Sequence, residues 1–299
     1  MISAAAVVLI GAFVLDVLVR EWPGRIHPVA WFGRIVGAID RDWAWPRFVG
    51  IAAAISLPVA AALIATGVVS AAFRVGSIAG MVVGGMALFS TFSLRMLLEV
   101  ARDVDEAAST SLSVAREAVQ ALVGRDVSAM NVTGLRSATI ESLAENLSDG
   151  FVAPLIAFAL GAQVSVTVGV GLAVWVKAVN TMDSMLGYHH VSTGWASARL
   201  DDLVMAVPAR LTAVLIAAAT IRPTAIRAAG ADARVPASPN AGWPMATMAR
   251  VLDVRLEKPD HYVLNDRGRS PDDQSVTRAI RTTGIAGVLA VGLAGVAVW

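Results

Sequence analysis

ESLAENLSDG (Glu141–Gly150), FVAPLIAFALGAQVSVTVGVGLAVWV (Phe151–Val176) and KAVNTMDSMLGYHH (Lys177–His190) follow one another without a break, and their reading decides how the chain is built. Two polar clusters bracket a stretch free of Asp, Glu, Lys and Arg. Charges beside or within apolar runs of membrane length are costly and face a bundle interior or a wet cavity. On helices, Glu141, Glu145 and Asp149 stand at i, i+4, i+8, and Lys177, Asn180 and Asp183 at i, i+3, i+6. Each set then projects from one face. Gly161-Ala162-Gln163 lies in the middle of the apolar stretch. It fits either one long span or a re-entrant pair of short helices.

Composition gives the class. Of 299 residues, 56% are hydrophobic and 16% charged, and mean hydropathy is +0.66, whereas soluble domains carry about 25% charged residues. The expectation is an all-α, polytopic membrane bundle with cytoplasmic amphipathic helices and loops, forming one membrane-embedded domain over 1–299. A net charge of +1 offers nothing to a nucleic acid. The chain has no cysteine, which excludes disulfides, thiolate metal sites and Cys nucleophiles. The first twenty residues do not read as a signal peptide. No Lys or Arg precedes the apolar run, Asp16 interrupts it and no A-x-A-like site ends it.

Candidate spans are Ile2–Val19, Gly50–Ala72, Ile78–Leu94, Phe151–Val176, Leu203–Ile221 and Thr282–Trp299, most of them near the ~20 residues a crossing helix needs. Basic residues concentrate in three regions: five in 20–49, five in 95–150 and ten in 222–281. The positive-inside rule places all three in the cytoplasm. Six simple spans satisfy that, but a plain crossing by Phe151–Val176 would put Lys177–His190 on the side opposite Glu141–Asp149. Access of both clusters from the cytoplasm is the favoured arrangement. Residues 95–123 read as an amphipathic helix with Val100, Val104, Ala108 and Leu112 as its apolar stripe, ended by Gly124-Arg125-Asp126. Residues 222–281 read as a cytoplasmic, Pro-rich loop region in which SPNAGWP (Ser238–Pro244) leads into a short helix, Met245–Val254.

No P-loop, G-x-G-x-x-G, H-E-x-x-H or G-x-S-x-G occurs. Glu141, Glu145 and Asp149, with Asn146 beside them, are hard oxygen ligands suited to Mg²⁺ carrying a nucleotide phosphate. The simpler reading is a solvated helix face. Lys177 and Asp183 close an apolar run as a structural ion pair, or else Lys177 neutralises phosphate while Asp183 binds metal or an amine. His189 and His190 are adjacent, point apart on a helix and read as interfacial. His27-Pro28, flanked by Arg25 and Arg34, reads as a membrane-edge anchor with Trp22 and Trp31 or as an anion contact. Arg199 and Arg210 snorkel or grip phosphate. The Ser238–Gly242 loop is bland, or it offers backbone N–H groups to an anion.

These stretches resemble the CobD/CbiB family of cobalamin biosynthesis, the adenosylcobinamide-phosphate synthases. The matching pieces are HPV (His27–Val29), ESLAENLSDG, APL (Ala153–Leu155), KAVNTMDSMLGY, ARLDDL (Ala198–Leu203), PARLT (Pro208–Thr212) and SPNAG, in the family's order and over most of the chain. Where family members often carry a His shortly before SPNAG, this chain reads Arg234-Val235-Pro236-Ala237, and the segment after Tyr262 diverges. The resemblance implies an ATP-dependent amide ligase of the cytoplasmic membrane, working beside other late-pathway enzymes. It would join adenosylcobyric acid to (R)-1-aminopropan-2-ol or its O-phosphate. Such a ligase commonly forms an acyl phosphate, which calls for Mg²⁺, cationic groups, a deprotonated amine and exclusion of water. On that chemistry Glu141, Glu145 and Asp149 are expected to hold Mg²⁺ and ATP. Lys177 would contact phosphate, Asn180 would orient the carboxyl and Asp183 would bind metal or assist the amine. His27, Arg199, Asn240 and Asn146 are the second-rank phosphate or substrate contacts. Two other classes share the polar-cluster pattern: a membrane-embedded transferase of prenyl type, and a corrinoid transporter.

Overall fold

The computed structural model describes residues 2–120, 122, 123, 127–187 and 192–299. His189, His190 and Gly124-Arg125-Asp126 lie outside the described residues. In chain order the helices are α1 (Ala4–Val19), α2 (Pro28–Gly37), α3 (Pro46–Val75), α4 (Ser77–Phe89), α5 (Leu94–Thr110), α6 (Leu112–Val119) and α7 (Val132–Leu147). A π turn, Ser148–Val152, leads into α8 (Ala153–Ala162), followed by α9 (Val166–Leu186), α10 (Trp195–Val204), α11 (Ala206–Ala219) and α12 (Thr224–Ala229). Then come a 3₁₀ turn (Asp232–Arg234), α13 (Gly242–Leu252), strands β1 (Leu256–Lys258) and β2 (Tyr262–Leu264), and α14 (Asp273–Val298). The chain is helical apart from this one antiparallel hairpin among the described residues.

Four helical stretches are long and apolar enough to cross a membrane: Pro46–Val75, Ser77–Thr110, Val132–Ala162 and Asp273–Val298. The count is five if Trp195–Val204 and Ala206–Ala219 are one broken span. At ~1.5 Å per residue, the 30-residue α3 exceeds the ~30 Å hydrocarbon core. It leaves Ile51, Ile55, Leu63, Ile64 and Val68 exposed, as a lipid-facing helix does. The protein is a multi-pass membrane protein. Two expected spans are revised by length or by a break: the first is a 16-residue helix, and Leu203–Ile221 is interrupted at Met205. Phe151–Val176 takes the second of its two expected forms, a pair of helices.

The chain forms two compact units. The first comprises Met1–Ser93, Asp149–Met205 and Val291–Trp299. Its decisive feature is the α8–α9 hairpin. Gln163 closes α8 and Ser165 caps α9 by accepting the Val168 N–H at 3.2 Å. The two helices return along each other because glycines line the seam. A Cβ at Gly161 would lie 2.7 Å from the Gly169 Cα, and one at Gly169 would lie 2.8 Å from the Phe158 carbonyl oxygen. Deeper in the hairpin, Ala153 and Ala157 pack with Val176 and Met205. The returning geometry brings the start of α8 and the middle of α9 to one end. Helix α3 packs on α9, with Val36, Ala53, Ala54, Met182 and Leu186 forming a core among α2, α3 and α9. The chain ends meet within this unit: Ser3 Oγ donates to the Val298 carbonyl, and Gln163 Nε2 donates to the Ala297 carbonyl at 2.9 Å.

The second unit comprises Leu94–Ser148 and Ala206–Ala290. Val100, Val104 and Ala108 are buried with Ala115, Val119 and Leu135, and Leu112 packs against them, so the expected stripe is the one that packs. The helix carrying it is two, broken at Ser111 between α5 and α6. Arg136 pairs with Asp105 at 3.1 Å. The 222–281 region is not loop alone. It holds α12, α13, the β hairpin and the first turns of α14, and α13 begins at Gly242 and ends at Leu252. Asp272 caps α14 by accepting from the Ser275 N–H at 2.8 Å and from the Ser275 hydroxyl. These bonds hold its carboxyl below the usual carboxylate range.

Candidate functional site

In the first unit, α1 ends at Arg20, whose φ of 75° turns the chain. The segment that follows is pinned at both ends. The Trp22 ring packs on Phe89 at 5.6 Å, and Trp31 Nε1 donates to the Arg25 carbonyl at 2.9 Å. His27 then caps α2, its Nδ1 accepting the Val29 N–H at 3.1 Å with Pro28 at the first helical position. Because Nδ1 accepts, Nε2 carries the proton, and it meets Glu21 Oε1 at 3.1 Å. Both ring nitrogens are therefore engaged within the chain. His27 thus caps α2 and holds Glu21 at the same time.

Glu21, His27, Lys177, Thr181, Ser90 and Ser93 line a cleft of about 470 Å³. Lys177 is half-buried. Its ammonium feels the carboxylates of Glu21 and Asp149, and it has no ion pair within 4 Å among the described residues. Asp183, the ion-pair partner in one of the two readings of the sequence, is not one of these carboxylates. Its side chain lies over Gly187, where a Cβ would come within 1.8 Å of Oδ1, and its charge acts on Asp201. Asn180 donates to the Asp201 carboxylate, and Asp149 and Asp183 both act on the same carboxylate. Asp201 is 8% exposed, and its Oδ1 has no hydrogen-bond partner among the described residues. Glu21 and Asp201 were not among the residues singled out from the sequence. Glu21 sat in a stretch that read as a membrane anchor. ARLDD offered two adjacent aspartates, and only the fold shows that Asp201 turns inward while Asp202 takes Arg199. Arg199 is exposed and reaches Asp202 at 3.4 Å.

A groove of about 510 Å³ lies beside the cleft. Trp31, Phe32, Leu57, Ile64 and Val68 line it, and it shares Lys177 and Thr181 with the cleft.

The second unit holds the other candidates. Glu141 is 4% exposed and accepts from Ser137 Oγ at 3.0 Å and from Tyr262 Oη at 3.1 Å. Glu145 is half-buried and Asn146 exposed, with Asn146 Nδ2 donating to its own helix at the Ser142 carbonyl, 3.0 Å away. Asn240 is buried, and its Oδ1 accepts from Arg210 at 2.7 Å. Arg210 also lies over the Trp243 ring at 5.4 Å, so here it grips the SPNAGW loop. Ser238 Oγ accepts the N–H groups of Asn240 and Ala241 at 3.2 and 3.3 Å, which occupies the donors an anion would use.

The carboxylates expected to hold Mg²⁺ are distributed over both units: Glu141 and Glu145 in the second, Asp149 in the first. Asp149 lies in the π turn, a wide turn that is frequent at functional sites. Among the described residues no group of three or more His, Asp or Glu stands as a ligand set for one ion. Glu141 already accepts two hydrogen bonds, so this trio does not offer a preformed Mg²⁺ site.

Comparison with known proteins agrees with the sequence resemblance. The family described as CobD/Cbib protein matches residues 9–291. The chain is 36% identical over 319 aligned positions to the cobalamin biosynthesis protein CobD of Rhodobacter capsulatus, covering 98% of each chain. It is 35% identical over 297 positions to the probable cobalamin biosynthesis protein CobD of Methanothrix thermoacetophila, covering 95% of this chain and 93% of that one. A similar relation, 32% over 290 positions with 94% of each covered, holds for the probable CobD of Methanothermobacter thermautotrophicus. No solved structure matches. The chain belongs to the CobD/CbiB family of cobalamin biosynthesis.

Proposed function

We propose that this protein is an ATP-dependent amide ligase of the cytoplasmic membrane, joining the free carboxylate of adenosylcobyric acid to (R)-1-aminopropan-2-ol or its O-phosphate. The observation that carries this reading is the Lys177 cleft. A half-buried cation stands among the carboxylates of Glu21 and Asp149 without contact pairing, and a second carboxylate cluster of Asp149, Asp183 and Asp201 lies beside it.

ATP supplies the phosphoryl group that turns a carboxylate into an electrophile. The chain's own residues supply the rest. Lys177 offsets negative charge on the reacting carboxyl and phosphoryl oxygens, in surroundings that screen it weakly. Asn180 orients the carboxylate cluster through Asp201. The amine must lose a proton on attack, and Asp183 can accept it.

The test is direct. Detergent-purified protein given adenosylcobyric acid, either amine and ATP should form the amide and release ADP, with ADP release depending on both substrates. Absence of amide, or ADP release independent of the amine, would overturn the reading. A second reading, a prenyl-type transferase, is favoured only by the apolar groove beside Lys177. Turnover of a prenyl diphosphate by the same preparation would establish it.

A further inference from the structure

The cleft of the first unit holds two opposite charges that are kept apart. Glu21 Oε1 is held by His27 Nε2 at 3.1 Å, and no further partner takes its other oxygen among the described residues. Lys177 lines the same cleft and attracts Glu21, yet the two do not meet in an ion pair. Glu21 is restrained because His27 is itself fixed by capping α2, and Lys177 is fixed on α9. Thr181, Ser90 and Ser93 also line the cleft, their hydroxyls donating to the main-chain carbonyls of Lys177, Ala87 and Arg20. The volume, about 470 Å³, suits a small ligand. A held-apart carboxylate and ammonium are complementary to a short molecule with a primary ammonium at one end and an oxygen function at the other. It would lie so that its ammonium meets Glu21 and its oxygen end meets Lys177.

We propose that this cleft is the subsite for the amine donor, with Glu21 as the residue that binds its ammonium and His27 as the positioning residue that aims Glu21. The proposal rests on the amide-ligase reading for the identity of the amine. The assignment of Glu21 and His27 rests on the geometry alone. It places the amine donor in the cleft that Lys177 lines, with its nitrogen at Glu21 and its oxygen end at Lys177.

The experiment is equilibrium binding of radiolabelled (R)-1-aminopropan-2-ol and of its O-phosphate to the full-length protein in nanodiscs, with and without adenosylcobyric acid, alongside steady-state kinetics. Glu21→Gln keeps an acceptor for His27 and removes the charge. It should raise the amine Kd and KM at least tenfold and leave the corrinoid Kd within twofold. His27→Asn keeps a good helix cap but cannot reach Glu21. It should raise the amine KM without lowering Tm, whereas His27→Ala should lower both amine affinity and Tm. Lys177→Gln should weaken the O-phosphate more than the alcohol. An amine Kd unchanged in Glu21→Gln, equal weakening of corrinoid and amine, or no amine binding by wild-type protein under either condition would overturn the assignment. Amine binding that is lost in Glu21→Gln, in a protein that forms no amide from any corrinoid, would retain the subsite and overturn the ligase reading.

Discussion

Tyr262 Oη donates to Glu141 Oε2 at 3.1 Å across 121 positions of sequence. The bond ties β2 to α7, and Ser137 completes the tie by donating to Glu141 and accepting the Glu257 N–H at 2.8 Å. A buried carboxylate with two donors is a strut of the second unit, whatever else it does. Hydrogen bonds to a charged group contribute about 1.5–3 kcal/mol. Tyr262→Phe and Glu141→Gln should therefore each lower Tm measurably in detergent, and the double variant should lose less than the sum. Strict additivity would show that the two residues act independently.

The α8–α9 return makes a prediction about access. The chain lacks cysteine, so single-cysteine variants report cleanly. Gly150→Cys and Ser184→Cys should react with a membrane-impermeant maleimide from the same face, and Gln163→Cys, at the hairpin turn, should not react from that face. Reaction of the first two positions from opposite faces would mean that the pair spans the membrane as one straight segment.

The sequence carried the class of the fold and the two polar clusters because both depend on local composition and helical period. Val100, Val104 and Ala108 could be placed on a packed face for the same reason. The hairpin turn was legible only as an ambiguity at Gly161-Ala162-Gln163, since its resolution depends on Gly161 meeting Gly169, a contact between helices. An ion pair of Lys177 with Asp183 was one of the two readings their place on one helix allowed. The carboxylates that Lys177 actually feels, Glu21 and Asp149, come from elsewhere in the chain, which periodicity does not register. Glu141 was legible as a candidate acid on one helix face but not as the partner of Tyr262, because that bond joins residues 121 positions apart.

Asp201 and Arg199 stand two residues apart and should behave differently. Asp201 is buried beside Asp149, Asp183 and Asn180, while the Arg199–Asp202 contact is long and its arginine exposed. Asp201→Asn should lower kcat for amide formation by about two orders of magnitude, the lower end of the range for a positioned acid–base group, with the protein still folded. Arg199→Ala should stay within about threefold of wild type, since an exposed pair contributes only about 0–1 kcal/mol. The reverse ranking would move the chemistry away from this cluster and toward the outer face of α10.

Lys177 is the most exacting case. Its charge is set among Glu21 and Asp149, so its role can be separated from that of a partner for Asp183. Lys177→Met should lower turnover at least a hundredfold while the protein still inserts in the membrane. Lys177→Arg restores the charge but not a compact ammonium, and its planar fork carries donors in a different geometry, so it should recover activity only in part. If Lys177 and Asp183 were a scaffold pair, Lys177→Met combined with Asp183→Leu would restore stability lost in either single variant, as replacing a buried pair by apolar groups can do. The structure predicts no such rescue, because Asp183 lies over Gly187 and acts on Asp201. The readouts are Tm in detergent and amide formation for all three variants. Recovery of Tm in the double variant with substantial ligase activity would assign both residues to the scaffold and leave the carboxyl and phosphoryl charge to be met by another cation.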